Sequence, residues 1–292
     1  VIGYPEDSNA VKNYPVSFTG RVDEKMLGKI SEKDLSNNFH LVLNDNPNVI
    51  RSSANISFRL DEAKDVKPGT LKILEKMLLK ETKHYSKKKL NTIIDENNLD
   101  IDIYGSEKKL TFSVNCLPDN LKTALELSKE ILNNPKFTQK SFIEAKEEVK
   151  MQLLGKNKTA DDRALETLFP DHYFKNTNRL ALEKINEVNL KDITDFYKFL
   201  MKNGQGTAII TGNLSKNPQT KDEIGSLIEN KFSKVKPFKY VVNKESAPLD
   251  KTKVIYEVEK GRNQAHIVEM FKINEPDNVK DNVSLRVLSS IL

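Results

Sequence analysis

Pro68-Gly69-Thr70-Leu71-Lys72-Ile73-Leu74-Glu75-Lys76 opens a helix whose charged face sets the terms for reading the rest of the chain. Pro68 and Gly69 break regular structure, and Thr70 stands where a hydroxyl can cap the first free backbone N–H groups. Helical neighbours lie three and four positions apart, so Lys72, Glu75 and Lys76 share one face. Taken alone, that face is an exposed ion-pair surface, each pair contributing about 0.2 to 0.5 kcal/mol. The stretch contains no histidine and no cysteine. An ammonium has three donors and no lone pair at neutral pH, so neither lysine can ligate a cation.

Outward from this helix, Ala124, Leu125, Leu127, Ile131 and Leu132 recur at amphipathic spacing, as do Phe142, Ala145, Val149 and Leu153. Both patterns predict helices, over 123–132 and 141–154. A further helix is expected over 87–97, and strands near 100–116. Phe196 and Tyr197 read as core aromatics, Cys116 as a small buried hydrophobe and Gly155 as a helix terminus. Residues 1–37, with Pro5, Pro15 and many charges, read as an extension or linker before a domain at 38–234. Residues 235–252 carry Pro237 and Pro248 among polar residues and read as a second linker. Beyond it, 254–258 and 265–271 alternate or run apolar like paired strands, and 283–292 starts a helix. Apolar residues left bare on that last helix need a partner surface to cover them.

Composition narrows the function classes. With 47 Lys and Arg against 42 Asp and Glu the net charge is +5, spread over 292 residues, and no aromatic-rich basic stretch marks a nucleic-acid surface. A single cysteine excludes an internal disulfide framework and a cysteine-based metal site. The histidines, His40, His84, His172 and His266, are never paired at helical spacing. No apolar run approaches the roughly 18 residues that span a bilayer. The chain begins with Val1 and reads as a processed or excised portion, and Val1-Ile2-Gly3-Tyr4 is similar to a closing strand like Ile209-Ile210-Thr211-Gly212, which hints at a tandem protein.

Several segments carry a resemblance. Asn38-Phe39-His40-Leu41-Val42-Leu43, Ile56-Ser57-Phe58-Arg59-Leu60, Lys83-His84-Tyr85-Ser86 and Phe112-Ser113-Val114-Asn115-Cys116-Leu117-Pro118 are four of them. Asn134-Pro135-Lys136-Phe137, Asp192-Ile193-Thr194-Asp195-Phe196-Tyr197 and Thr207-Ala208-Ile209-Ile210-Thr211-Gly212-Asn213 are three more. In this order they resemble the pitrilysin/insulinase family of zinc metallopeptidases, which includes the mitochondrial processing peptidases and respiratory core subunits. The resemblance spans most of residues 38–292. It implies an α+β fold: a metallopeptidase-like domain with a mixed, largely antiparallel sheet covered by helices, followed at 253–292 by the start of a second homologous domain.

The family's His-x-x-Glu-His helix falls on the opening stretch, with Lys72 and Lys76 in place of the two imidazoles and only Glu75 retained. Its third zinc ligand, a glutamate roughly seventy-five residues further on, falls on Gln152, with Glu147 or Glu148 as candidates if the register slips. The resemblance therefore implies a degenerate copy with no metal and no catalytic residue of its own. It is expected to be the non-catalytic half or subunit of a peptidase, contributing a substrate chamber beside a zinc-bearing homologous half that hydrolyses peptides or unfolded polypeptides. A purely structural core subunit is the alternative. Arg262 is a weak candidate for contacting substrate carboxylates. The compartment stays open between a bacterial envelope and an organelle matrix.

Overall fold

A computed structural model of the chain describes residues 28–155, 160–216, 218–237, 253–256, 265, 267–270 and 279–291. Its centre is a sheet built from β1 (Lys29–Asp34), β2 (His40–Asp45), β3 (Ser52–Arg59), β4 (Asp100–Ser106), β5 (Lys109–Cys116) and β6 (Gln205–Gly212). Their spatial order is β1-β2-β6-β3-β5-β4, with β2 and β6 parallel and every other pair antiparallel. The sheet is thus mixed and largely antiparallel, and the fold is α+β. Alternation decides its two sides: Ala54, Ile56 and Phe58 are buried, as are Leu110, Phe112 and Val114, whereas Asn55, Ser113 and Asn115 between them are partly open. One cross-strand row runs Leu41, Ala208, Ile56, Phe112, Ile103, so a single apolar stripe crosses five strands. Each such side chain contributes roughly 1.5 to 3 kcal/mol on full burial if it is a Leu, Ile or Phe.

The helices between the strands are α1 (Thr70–Leu78), α2 (Lys87–Glu96), α3 (Leu121–Asn133), α4 (Gln139–Leu154), α5 (Ala160–Leu168), α6 (Asn178–Lys184) and α7 (Leu190–Asn203), and α8 (Pro218–Lys231) follows β6. α3 packs on β3 and β5, α7 on β3, and α1 on α4, α7 and β4. Their starts follow capping chemistry. Ser86 accepts the Lys89 N–H, and Thr138 and Ser141 form a reciprocal capping box, as do Asn189 and Asp192. Thr70 does not cap α1, contrary to the sequence reading. Gly69, at φ 94°, takes the cap position without a side-chain hydrogen bond, and Thr70 is the first helical residue, fully buried. The left-handed backbone at Gly69 is one that a residue with a Cβ adopts only at a cost.

Two expectations for the flanks change. Residues 29–34, inside the stretch read as a linker, form β1 and pair along the whole length of β2. His40 ties them down, its Nδ1 lying 2.8 Å from Asp34 and its Nε2 3.6 Å from Glu32. Of 254–258 and 265–271, expected as paired strands, the described residues 254–256, 265 and 267–270 belong to no strand, and the remainder lie outside the described residues. The helix expected at the end is present as α9 (Val279–Ile291), with Val283, Val287 and Leu288 about half exposed. The single-residue readings hold for Cys116, buried and free, and for Gly155, the C-cap of α4. They hold for Phe196, buried, and for Tyr197, whose hydroxyl donates to the Leu132 carbonyl at 2.6 Å. Burial pushes the Cys116 thiol up to about 11, which leaves it an unreactive thiol.

Candidate functional site

α1 is a short helix held by its apolar side: Ile73, Leu74, Met77 and Leu78 are completely buried. Its opposite side brings Lys72, Glu75 and Lys76 together, but this side is half-buried and not the open surface expected from sequence. The cause is β4 and the turn after it. The Gly105 N–H donates to the Glu75 carboxyl, and Asp102 lies close enough to act on it electrostatically. Gly105 must be glycine here, because a Cβ would lie 2.0 Å from the Lys109 carbonyl oxygen across the hairpin.

Burial dominates the chemistry of Glu75. Desolvation raises its pKa from 4.5 to about 7, against the opposing pull of Lys72, the Gly105 N–H and Lys76. Neither lysine makes an ion pair or hydrogen bond within the described residues. The expected ion-pair face is therefore replaced by a desolvated carboxyl flanked by two ammoniums that act on it through space.

Glu107, in the turn between β4 and β5, is a second buried acid. Its carboxyl accepts a hydrogen bond from Asn176 Nδ2 at 2.9 Å, and its carbonyl accepts the Lys64 N–H at 3.1 Å. Desolvation raises its pKa also, opposed by Asn176 and, at longer range, by Lys72 and His172. Lys72 thus sits in the field of both acids.

Asn176 closes a turn, Tyr173–Lys175 and its flanks, whose rings pack on one another. Phe169 meets Phe174 edge-on at 5.2 Å, and the His172 ring lies 4.1 Å from Tyr173 and 4.3 Å from Phe174. A fork beneath holds the turn: Arg179 Nε donates to both Glu166 carboxylate oxygens at 3.0 and 3.1 Å, and the Thr177 hydroxyl donates to the same carboxylate at 2.6 Å. Burial pushes Glu166 up, but these donors outweigh it and hold the carboxyl below its ordinary range.

Gln152 does not join this group. It is exposed in the last turn of α4, lining an open depression with Lys87, Glu144, Glu147, Glu148 and Met151. Of the alternative acids, Glu148 pairs with the buried Lys80 and Glu147 with Lys150. Arg262 lies outside the described residues, as does the segment 1–3 likened to a strand. Among the described residues no three His, Cys, Asp or Glu side chains gather into a group that could hold a metal. Sequence reasoning missed Gly105, Glu107, Asn176 and the aromatic turn. The cluster Phe169, His172, Tyr173, Phe174 in a chain only 7% aromatic was the one signal available.

Glu75 predicts a pH dependence. A carboxyl whose pKa is raised on folding stabilises the fold least when ionised, so stability falls as pH rises from 4.5 towards 7. Glu75→Gln removes the penalty and keeps an acceptor for the Gly105 N–H. It is expected to stabilise the chain above pH 7 by up to roughly 3 kcal/mol and to be neutral in acid. Parallel pH profiles of the two proteins in thermal unfolding would refute this.

The comparisons with known proteins agree with the fold. The model of the insulinase family, peptidase family M16, matches residues 59–186, and that of the peptidase M16 inactive domain matches residues 187–292. Among solved structures, a protease from Helicobacter pylori is similar at 17% identity and a TM-score of 0.58, over 71% of this chain and 51% of its own. A peptidase M16 inactive domain from Pseudomonas fluorescens is similar at 14% identity and a TM-score of 0.63, over 75% of this chain and 54% of its own. A conserved protein from Enterococcus faecalis V583 gives 14% and 0.63, over 76% and 56%. The chain thus spans about half the length of the structures it matches. No curated protein matches it. The two family models together cover the chain from Arg59 to its end, and it belongs to the insulinase, or M16, family of peptidases.

Proposed function

We propose that this chain is the non-catalytic half of an M16-type peptidase, which shapes a peptide-binding chamber beside a zinc-bearing homologous half. One observation carries the reading: α1 brings Lys72, Glu75 and Lys76 to one face, and the sequence resemblance sets that stretch against the family's His-x-x-Glu-His helix. The family is generally zinc-dependent, but these donors do not fit the ion. Two ammoniums repel a dication, the remaining carboxyl is partly protonated near neutral pH, and Gln152 lies in a separate depression. No hydrolytic step is assigned to these side chains.

The match of residues 187–292 to an inactive-domain model, and coverage of about half of each similar structure, support a role completed by a second half. Exposed Val254, Ile255, Tyr256, Val283, Val287 and Leu288 form apolar surface of the kind a further domain covers.

Metal analysis and peptide cleavage test the proposal together. The purified chain is expected to hold far less than one zinc per molecule and to cleave no peptide in a chelator-sensitive way, and a homologous copy bearing His-x-x-Glu-His is expected to supply that cleavage. Stoichiometric zinc, or turnover by this chain unaided, would overturn it. A co-purifying partner that lacks the motif would favour a purely structural subunit.

A further inference from the structure

We propose that Lys72 and Lys76 form an anion site that takes a carboxylate of a bound polypeptide. This deepens the chamber reading and rests on it, by naming the chemistry of the segment the chamber holds.

The two ammoniums stand one helical turn apart on the same half-buried face, and neither meets a hydrogen-bond or ion-pair partner within the described residues. Lysines buried in other parts of the fold show what satisfies an ammonium there. Lys80 pairs with Glu148, and Lys146 donates to the carbonyls of Asn186 and Val188 at 3.1 and 2.8 Å. Lys72 and Lys76 are partly dehydrated and left without that compensation. A carboxylate arriving between them gains two charge-assisted contacts where each ammonium now has only water.

The neighbouring acids do not cancel this charge. Glu75 is pushed toward its neutral form by burial, and Glu107 is pushed the same way and is already occupied by Asn176. The aromatic turn that Asn176 fastens to Glu107 lies beside the same group and leaves Phe174 43% exposed, a surface on which apolar parts of a chain can rest.

A carboxylate can come from an Asp or Glu side chain or from a free C-terminus, and the test separates them. Fluorescent peptides of one sequence would be made with Glu or Gln at internal positions, and with a free or an amidated C-terminus. Their binding to the full chain would be followed by anisotropy. The expected result is that whichever peptides carry the recognised carboxylate bind about tenfold or more tightly than their neutral counterparts, the loss expected for a charged hydrogen-bond pair. Lys72→Gln/Lys76→Gln should abolish that preference, and Lys72→Arg/Lys76→Arg should restore it. Thermal unfolding identifies a misfolded variant, in which case Lys76→Gln alone must lower the preference. Equal binding of charged and neutral peptides, or a preference that survives in the glutamine variants, overturns the anion site and leaves the chamber standing. Failure of every peptide to bind overturns both.

Discussion

Gly105→Ala is expected to destabilise the chain by about 3 kcal/mol or more, the range of severe overpacking and backbone strain. The added Cβ would sit 2.0 Å from the Lys109 carbonyl oxygen and 3.0 Å from both the Lys109 carbonyl carbon and Leu110 Cα. All three are backbone atoms of the paired strand, so no side-chain rotation relieves the contact and β4 must shift away from β5. The shift also withdraws the Gly105 N–H from Glu75, leaving a desolvated carboxyl without its donor. Gly155→Ala is the control: its Cβ would meet only the Met151 and Gln152 carbonyls at 3.7 and 3.8 Å, at φ −71°. Chemical denaturation should place Gly155→Ala within about 1 kcal/mol of the parent, on the stable side if anything. A Gly105→Ala protein that unfolds with the parent would show that the hairpin is looser than its register implies.

Arg179→Met is expected to cost about 3 kcal/mol at neutral pH. The guanidinium fork is the main counter-charge of Glu166, and the two side chains are only 16% and 15% exposed. Removing the arginine leaves an ionised carboxylate in a poorly hydrated place, although the Thr177 hydroxyl still reaches it. Because Glu166 is held below 4.5 in the fold, its contribution is present above that pH and lost as pH falls through the folded value. The penalty of Arg179→Met should therefore shrink in acid, and Arg179→Met/Glu166→Gln should recover part of it at neutral pH. Loosening should reach the aromatic turn, read as a weaker near-ultraviolet signal from Tyr173, which packs on His172 and Phe174. Equal losses at neutral and acid pH would assign the effect to lost packing instead of charge.

The sequence reading found most of the fold, two helices by periodicity and three strands by resemblance to the family. The helices over 123–132 and 141–154 are α3 and α4, and the strands at 38–43, near 100–116 and 207–213 are β2, the β4–β5 pair and β6 within a residue or two, while 56–60 is the second half of β3, which begins at Ser52. It failed where local pattern carries no information. β1 is exposed at all six positions, so Lys29 to Asp34 has no alternation to read and is a strand only because β2 offers it a ladder. Thr70 looked like a cap because hydroxyls cap helices, yet the turn at Gly69 enters α1 from a left-handed conformation that puts Thr70 inside the helix. The aromatic turn and Asn176 stand 69 residues and less from Glu107 along the chain, and no spacing rule links them.

The amino-acid sequence alone determined what the α1 face can bind. Side-chain chemistry belongs to the residues themselves, and helical spacing is local, so the meeting of one carboxyl with two ammoniums on one face is legible without any coordinates. Only the tertiary structure decided the state of that face, because desolvation is set by atoms from remote segments. β4 and its turn cover Glu75, Asn176 occupies Glu107, and β6 enters between β2 and β3 from far along the chain. Those approaches turn what reads as a solvated ion-pair surface into a half-buried acid between two uncompensated ammoniums.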